Sequence, residues 1–133
     1  LRSIIAEQER RQDLDERLRS AIAASLDAFV VLGRQLEVVE WNAQAERTLG
    51  IVRADAIGHT FSTLVLPPVY AEAFDADLLG GLADAPMAFV NRRVTIAARR
   101  HDGTEFPAEV AVVPVRLRGD VAFSVTLRDI TDR

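Results

Sequence analysis

Apolar and polar positions alternate most regularly between Val94 and Leu127. Before the stretch Arg100-His101-Asp102-Gly103-Thr104, Val94, Ile96 and Ala98 alternate with Thr95, Ala97 and Arg99. After it, Phe106, Ala108, Val110 and Val112 alternate with Glu105, Pro107, Glu109 and Ala111. Period two is the repeat of a strand, and Asp-Gly between two such runs is the strongest short-range hairpin signal. Gly103 is expected to supply the positive φ of that turn. Arg118-Gly119-Asp120 marks a second turn into Val121–Leu127, a β-branched and aromatic run. Three consecutive antiparallel strands form a meander with one face to bury, so its cover must come from earlier in the chain.

The pattern changes upstream. From Arg2 to Ser25 there is neither Gly nor Pro, and Glu, Arg, Gln, Ala and Leu dominate, so residues 1–25 read as an N-terminal amphipathic helix. Leu14, Leu18 and Ile22 follow i, i+4 spacing on one narrow face, which suits a two-stranded coiled-coil seam better than a core helix, although Gln8 and Arg11 interrupt the heptad. The alternative is a helix folded back on its own domain. Residues 26–133 then form the second unit. Asp27 to Arg34 reads as a strand through Ala28, Phe29, Val30, Val31 and Leu32, Gly33-Arg34-Gln35 as a turn, and Leu36 to Trp41 as the returning strand. Asn42 is a good N-cap for a helix that stops at Gly50. Arg53 to Ile57 reads as a further short turn of helix ended by Gly58, and Phe61 to Leu66 as a brief apolar stretch. Pro67-Pro68 then starts a helix of about a dozen residues closed by Gly80-Gly81. Asp84 to Pro86 is loop, and Met87 to Val90 lead into the first strand of the meander.

Helix, two strands, short helices and three strands make an α+β pattern with the helices on one face of an antiparallel sheet. Short helices over a concave sheet can enclose a cavity. Phe61, Val65, Tyr70, Phe74, Leu78, Ile96, Phe106, Val110 and Phe123 are the candidate lining, or else they simply fill each other's space.

Composition narrows the chemistry. The 133 residues suffice for one ordinary domain with a real core. With no cysteine there is no disulfide, no thiolate nucleophile and no Cys-based metal or iron-sulfur centre, and a cytoplasmic location is mildly favoured. Every basic residue is Arg, and the net charge is -4, so nucleic acid is not the expected partner. No apolar run reaches membrane-spanning length. The chain begins with Leu and ends on a charged segment, as a piece of a longer protein would.

Three motifs occur in order: Leu36-Glu37-Val38-Val39-Glu40-Trp41-Asn42-Ala43-Gln44-Ala45-Glu46 with Leu49-Gly50 and Ile57-Gly58; Arg99-Arg100-His101-Asp102-Gly103-Thr104-Glu105-Phe106-Pro107; and Arg128-Asp129-Ile130-Thr131-Asp132-Arg133. Together, from about Ala21 to Arg133, they resemble a PAS sensory domain of a bacterial signalling protein. The resemblance implies a five-stranded antiparallel sheet flanked by helices and an N-terminal helix that pairs in a homodimer. It also implies a C-terminal Asp-Ile-Thr motif, here Asp129, Ile130 and Thr131, that hands the signal to an output domain in the same polypeptide, such as a histidine kinase or diguanylate cyclase. A small-molecule ligand is compatible with it, since the scaffold carries many ligands or none.

Specific cofactors fit less well. PAS oxygen sensors bind haem through a His on the long helix, and Pro67 to Leu82 contains none. The flavin adduct of light-sensing relatives needs a cysteine, and none exists, although flavin held without an adduct remains open. His59 lies between short helices and His101 at a hairpin tip, a poor pair for a metal. A proton-transfer enzyme of the isomerase type would need a carboxylate to meet His or Tyr inside a cavity. Tyr70, Asp75 and Asp77 are the inward candidates, but helix carboxylates usually face solvent. The expectation is therefore a non-catalytic sensory module that relays a signal through flanking helices, with a ligand-free dimerisation or interaction module as the alternative.

Overall fold

The structure is a computed structural model that describes residues 26–80 and 89–132. The predicted N-terminal helix with Leu14, Leu18 and Ile22, its boundary at residue 25, and Asp84 to Ala88 lie outside the described residues.

Strands β1 (Ala28–Leu32) and β2 (Val38–Trp41) come first. Helices α1 (Ala43–Leu49), α2 (Arg53–Ala56), α3 (Phe61–Val65) and α4 (Pro68–Leu79) follow, then strands β3 (Arg93–Arg99), β4 (Glu105–Leu117) and β5 (Asp120–Asp129). The strands form one five-stranded sheet in the order β2-β1-β5-β4-β3, and every neighbouring pair is antiparallel. The chain's last strand thus lies at the centre, between its first strand and the meander. Because side chains alternate across a sheet, the register decides which set is buried. Val30 opposes Val125, Val125 opposes Val112, and Val110 opposes Leu127, which aligns the apolar sets of three strands on one face. Ala45 and Leu49 of α1, Phe61 and Val65 of α3, and Phe74 and Leu78 of α4 close over that face in one hydrophobic cluster. Fully burying each large aliphatic or aromatic member stabilises the fold by about 1.5–3 kcal/mol.

The turns follow their residue types. Arg118 (φ 53°) and Gly119 (φ 81°) both adopt left-handed conformations between the paired Leu117 and Asp120, which is the type I′ geometry that matches the twist of the strands. Gly103 has φ 89°, as its place in the first turn requires. Asp102 locks that turn, its carboxylate accepting from the Thr104 amide at 2.9 Å and the Thr104 hydroxyl at 2.6 Å.

Four boundaries differ from the sequence reading. The returning strand begins at Val38, because Leu36 (φ 66°) stays in the turn and donates its amide to the Gly33 carbonyl at 3.0 Å while its side chain is buried. The apolar stretch from Phe61 is a helix, α3, whose brevity hid its period. Phe89 and Val90 do not enter β3. Val90 makes a single parallel bridge to Val112, then Asn91 (φ 58°) turns the chain and donates its amide to the Val112 carbonyl at 2.7 Å, so β3 starts at Arg93. Finally, β5 runs through Asp129, which pairs with Ala108 instead of lying beyond the strand.

Candidate functional site

The side chains proposed as a cavity lining come together. Phe61, Val65, Phe74, Leu78, Ile96, Phe106, Val110 and Phe123 are buried in the single core cluster, and Tyr70 packs against it partly exposed. The Phe61 and Phe74 rings lie 5.5 Å apart, and Phe74 meets Phe89 edge-on at 5.3 Å. These spacings are those of directly packed aromatic pairs. Three clefts in the surface are lined by other residues.

The C-terminal motif forms the most connected polar group. Asp129 accepts hydrogen bonds from the amide and hydroxyl of Thr131, and from the Arg100 guanidinium at 2.7 Å. Ile130 donates its amide to the Pro107 carbonyl at 3.0 Å. The Arg100 guanidinium also stacks over the Phe106 ring, 4.1 Å from its centre, a cation–π contact with a core residue. Partial burial pushes the Asp129 carboxyl up. The Thr131 hydrogen bonds and the Arg100 charge outweigh it and hold the group below its ordinary value. The end of β5 and the residue after it are therefore fastened to the β3–β4 hairpin. Arg100 was not singled out from sequence. A carboxylate at the end of the last strand could find an arginine partner, but sixteen basic residues offered no way to choose among them.

Arg100 sits between two further anchors. Arg99 donates from its guanidinium to the Thr63 carbonyl in α3 at 3.0 Å, and the His101 amide donates to the Leu49 carbonyl at the end of α1 at 2.9 Å. Gly50, which ends α1 with φ 73°, lies so close that a Cβ there would touch His101. Three consecutive residues thus hold α3, the end of β5 and α1.

Asn42 is buried and joins α1 to β1. Its side-chain oxygen accepts from the amides of Ala45 and Phe29, both at 2.9 Å, and its nitrogen donates to the Asp27 carbonyl at 3.0 Å. Asp27 also pairs with Arg128 at 3.0 Å, and that hydrogen bond raises the arginine's affinity for its proton.

The helix carboxylates have structural partners. Asp75 accepts from the buried Ser62 hydroxyl at 2.8 Å, linking α4 to α3, and Asp77 accepts from the amides of Phe89 at 3.0 Å and Val90 at 3.3 Å. His59 and His101 are exposed. Among the described residues no group of three His, Cys, Asp or Glu side chains could hold a metal ion, and no helix is long and apolar enough to cross a membrane.

A five-stranded antiparallel sheet with its last strand central, one face under short helices and the end of that strand tied to a hairpin, defines a small α+β domain. A family model described as a PAS domain matches residues 26–132, and the chain belongs to that family. An uncharacterised protein of Azorhizobium caulinodans is 33% identical over 115 residues, which cover 86% of this chain and 16% of that protein. The chain thus spans about a sixth of that relative's length. Among solved structures, the PAS domain of a protein from Colwellia psychrerythraea superposes with a TM-score of 0.75 at 22% identity, covering 90% of this chain and 99% of that one. A PAS domain from a two-component sensor histidine kinase gives 0.69 at 14% identity, covering 89% and 98%. The PAS domain of the Cronobacter turicensis RpfR quorum-sensing receptor, in complex with C12:0, gives 0.64 at 17% identity, covering 83% and 99%.

Proposed function

We propose that this PAS domain is a sensory module that relays a signal to an output domain in the same polypeptide, such as a histidine kinase or diguanylate cyclase, and is not itself a catalyst. The observation that carries this reading is the fastening of Asp129 to Arg100 and of Ile130 to Pro107 of the hairpin, with Thr131 bonded back to Asp129. A shift of the hairpin moves the point where the chain leaves the domain. Similarity to a sensor kinase domain and to a receptor domain solved with a small molecule supports the reading, and so does the much greater length of the Azorhizobium relative. In this reading the domain works in the cytoplasm as a homodimer paired through Leu14, Leu18 and Ile22, and a small ligand or a protein partner shifts the balance between two states.

The test is Asp129→Ala in the full-length protein. The fold is kept, because Asp129 is the last residue of β5 and its side chain is partly exposed, and control of the output is lost. Wild-type regulation in that variant would refute the relay. The packed aromatic core favours a second reading, a ligand-free dimerisation or interaction module. A native mass spectrum separates the two. A dimer carrying extra mass supports a chemical sensor, whereas a dimer of bare chains supports transmission by contact. Leu18→Glu leaves the subunit count unchanged only if the proposed helix pairing is wrong.

A further inference from the structure

A cleft of about 380 Å³ lies where α3, the C-terminal side of α1 and the β3–β4 hairpin meet. That volume lies within the range of small-ligand sites. Its lining divides by chemistry: Ile51 and Leu64 are apolar, whereas Arg99, Arg100 and His101 present cationic or hydrogen-bonding groups. Arg99 gives one hydrogen bond to a neutral carbonyl, that of Thr63, and no carboxylate of the described residues lies within ion-pair distance of it. Glu105 opposes it in the strand register without closing an ion pair. A guanidinium has five N–H donors, so most of those on Arg99 remain available. Asp102, the one acidic lining residue, already accepts from the amide and hydroxyl of Thr104, and Arg100 is paired with Asp129.

We propose that this cleft is a binding site for a small organic carboxylate, its acidic group held by Arg99 and Arg100 and its apolar body lying on Ile51 and Leu64. Forked guanidinium groups match a carboxylate, and the charge-assisted bonds that result are about twice as strong as neutral ones. The bound carboxylate competes with Asp129 for Arg100, so occupancy loosens the fastening of the C-terminal exit. That consequence for signalling rests on the relay reading, whereas the binding itself does not. The site lies outside the aromatic core, so a ligand can enter it without displacing the Phe61–Phe74 pair.

The test is a titration of the isotope-labelled chain with benzoate at constant chloride, followed by ¹H–¹⁵N NMR. Saturable shifts are expected at Leu64 and from Arg99 to Gly103, with smaller ones from Asp129 to Thr131, and a dissociation constant on the order of millimolar, as suits so small a probe. Arg99→Gln weakens binding at least fivefold, and benzyl alcohol, of the same size without the charge, binds at least fivefold more weakly than benzoate. Arg99 is at the surface and the Thr63 it bonds is exposed, so the variant folds, and unchanged resonances elsewhere verify it. Shifts that never saturate, equal benzoate affinity in Arg99→Gln, or equal affinity for benzyl alcohol would each overturn the proposal. The titration needs no output domain, so its failure leaves the relay reading standing, and loss of the relay reading leaves a measured site intact.

Discussion

Replacing Asn42 by Ala removes more than a helix cap. The sequence alone assigns the cap, worth about 1 kcal/mol. In the structure the same side chain also satisfies the Phe29 amide and the Asp27 carbonyl, and the residue is 5% exposed, so water cannot readily replace it. Each backbone group left unsatisfied in a part-buried site costs about a further 1 kcal/mol. The sum is about 2–4 kcal/mol, with some loss of additivity because the groups are neighbours. Asn42→Asp keeps the acceptor for Ala45 and Phe29 and loses only the donor to Asp27, so its cost is about 1–2 kcal/mol. The chain's single tryptophan, Trp41, is adjacent and buried, and its ring nitrogen donates to the Ile51 carbonyl at 2.9 Å, so its fluorescence reports global unfolding in urea. A destabilisation of Asn42→Ala below about 1 kcal/mol, or a cost equal to that of Asn42→Asp, would refute the view that one side chain joins α1 to β1.

Arg100 and Asp129 are each about a third exposed, so a double-mutant cycle on Arg100→Ala and Asp129→Ala should give a coupling of about 1 kcal/mol in urea denaturation, and additive costs would show that the pair contributes nothing. The Asp129 carboxyl is held below its ordinary value in the fold, so its contribution is present above the unfolded pKa of about 3.9 and is lost as pH falls through the lower folded value. Asp129→Asn should therefore lose less stability than wild type between about pH 5 and pH 2, and identical pH profiles would contradict this. At the type I′ turn, Arg118→Asn should stabilise by about 0.5 kcal/mol and Gly119→Ala should destabilise by about 1 kcal/mol, because asparagine tolerates a left-handed backbone and alanine does not. Urea midpoints moving the opposite way would mean that turn strain is not what these positions feel. Asp77→Ala should cost about 1–3 kcal/mol and speed amide exchange at Phe89 and Val90, whereas unchanged exchange would remove the anchoring role of the carboxylate.

Local chemistry was enough to place the β3–β4 hairpin, the Asn42 cap, the Gly50 stop and the start of α4 near Pro67-Pro68. Each rests on interactions within a few residues, and each was found where the pattern placed it. The buried sets of β3 and β4 were legible for the same reason, since alternation records which face meets water. Tertiary structure alone decided that β5 is central and β1 its neighbour, because Val30 and Val125 are far apart in the chain and no local term links them. It also decided that Leu36 turns instead of extending and that Val90 bridges Val112 before the chain reverses, both set by contacts with distant backbone. The choice of Arg100 as the partner of Asp129 belongs to the same class. Composition supplies many equivalent arginines, and only the folded register brings one of them, stacked on Phe106, to the carboxylate where the chain leaves the sheet.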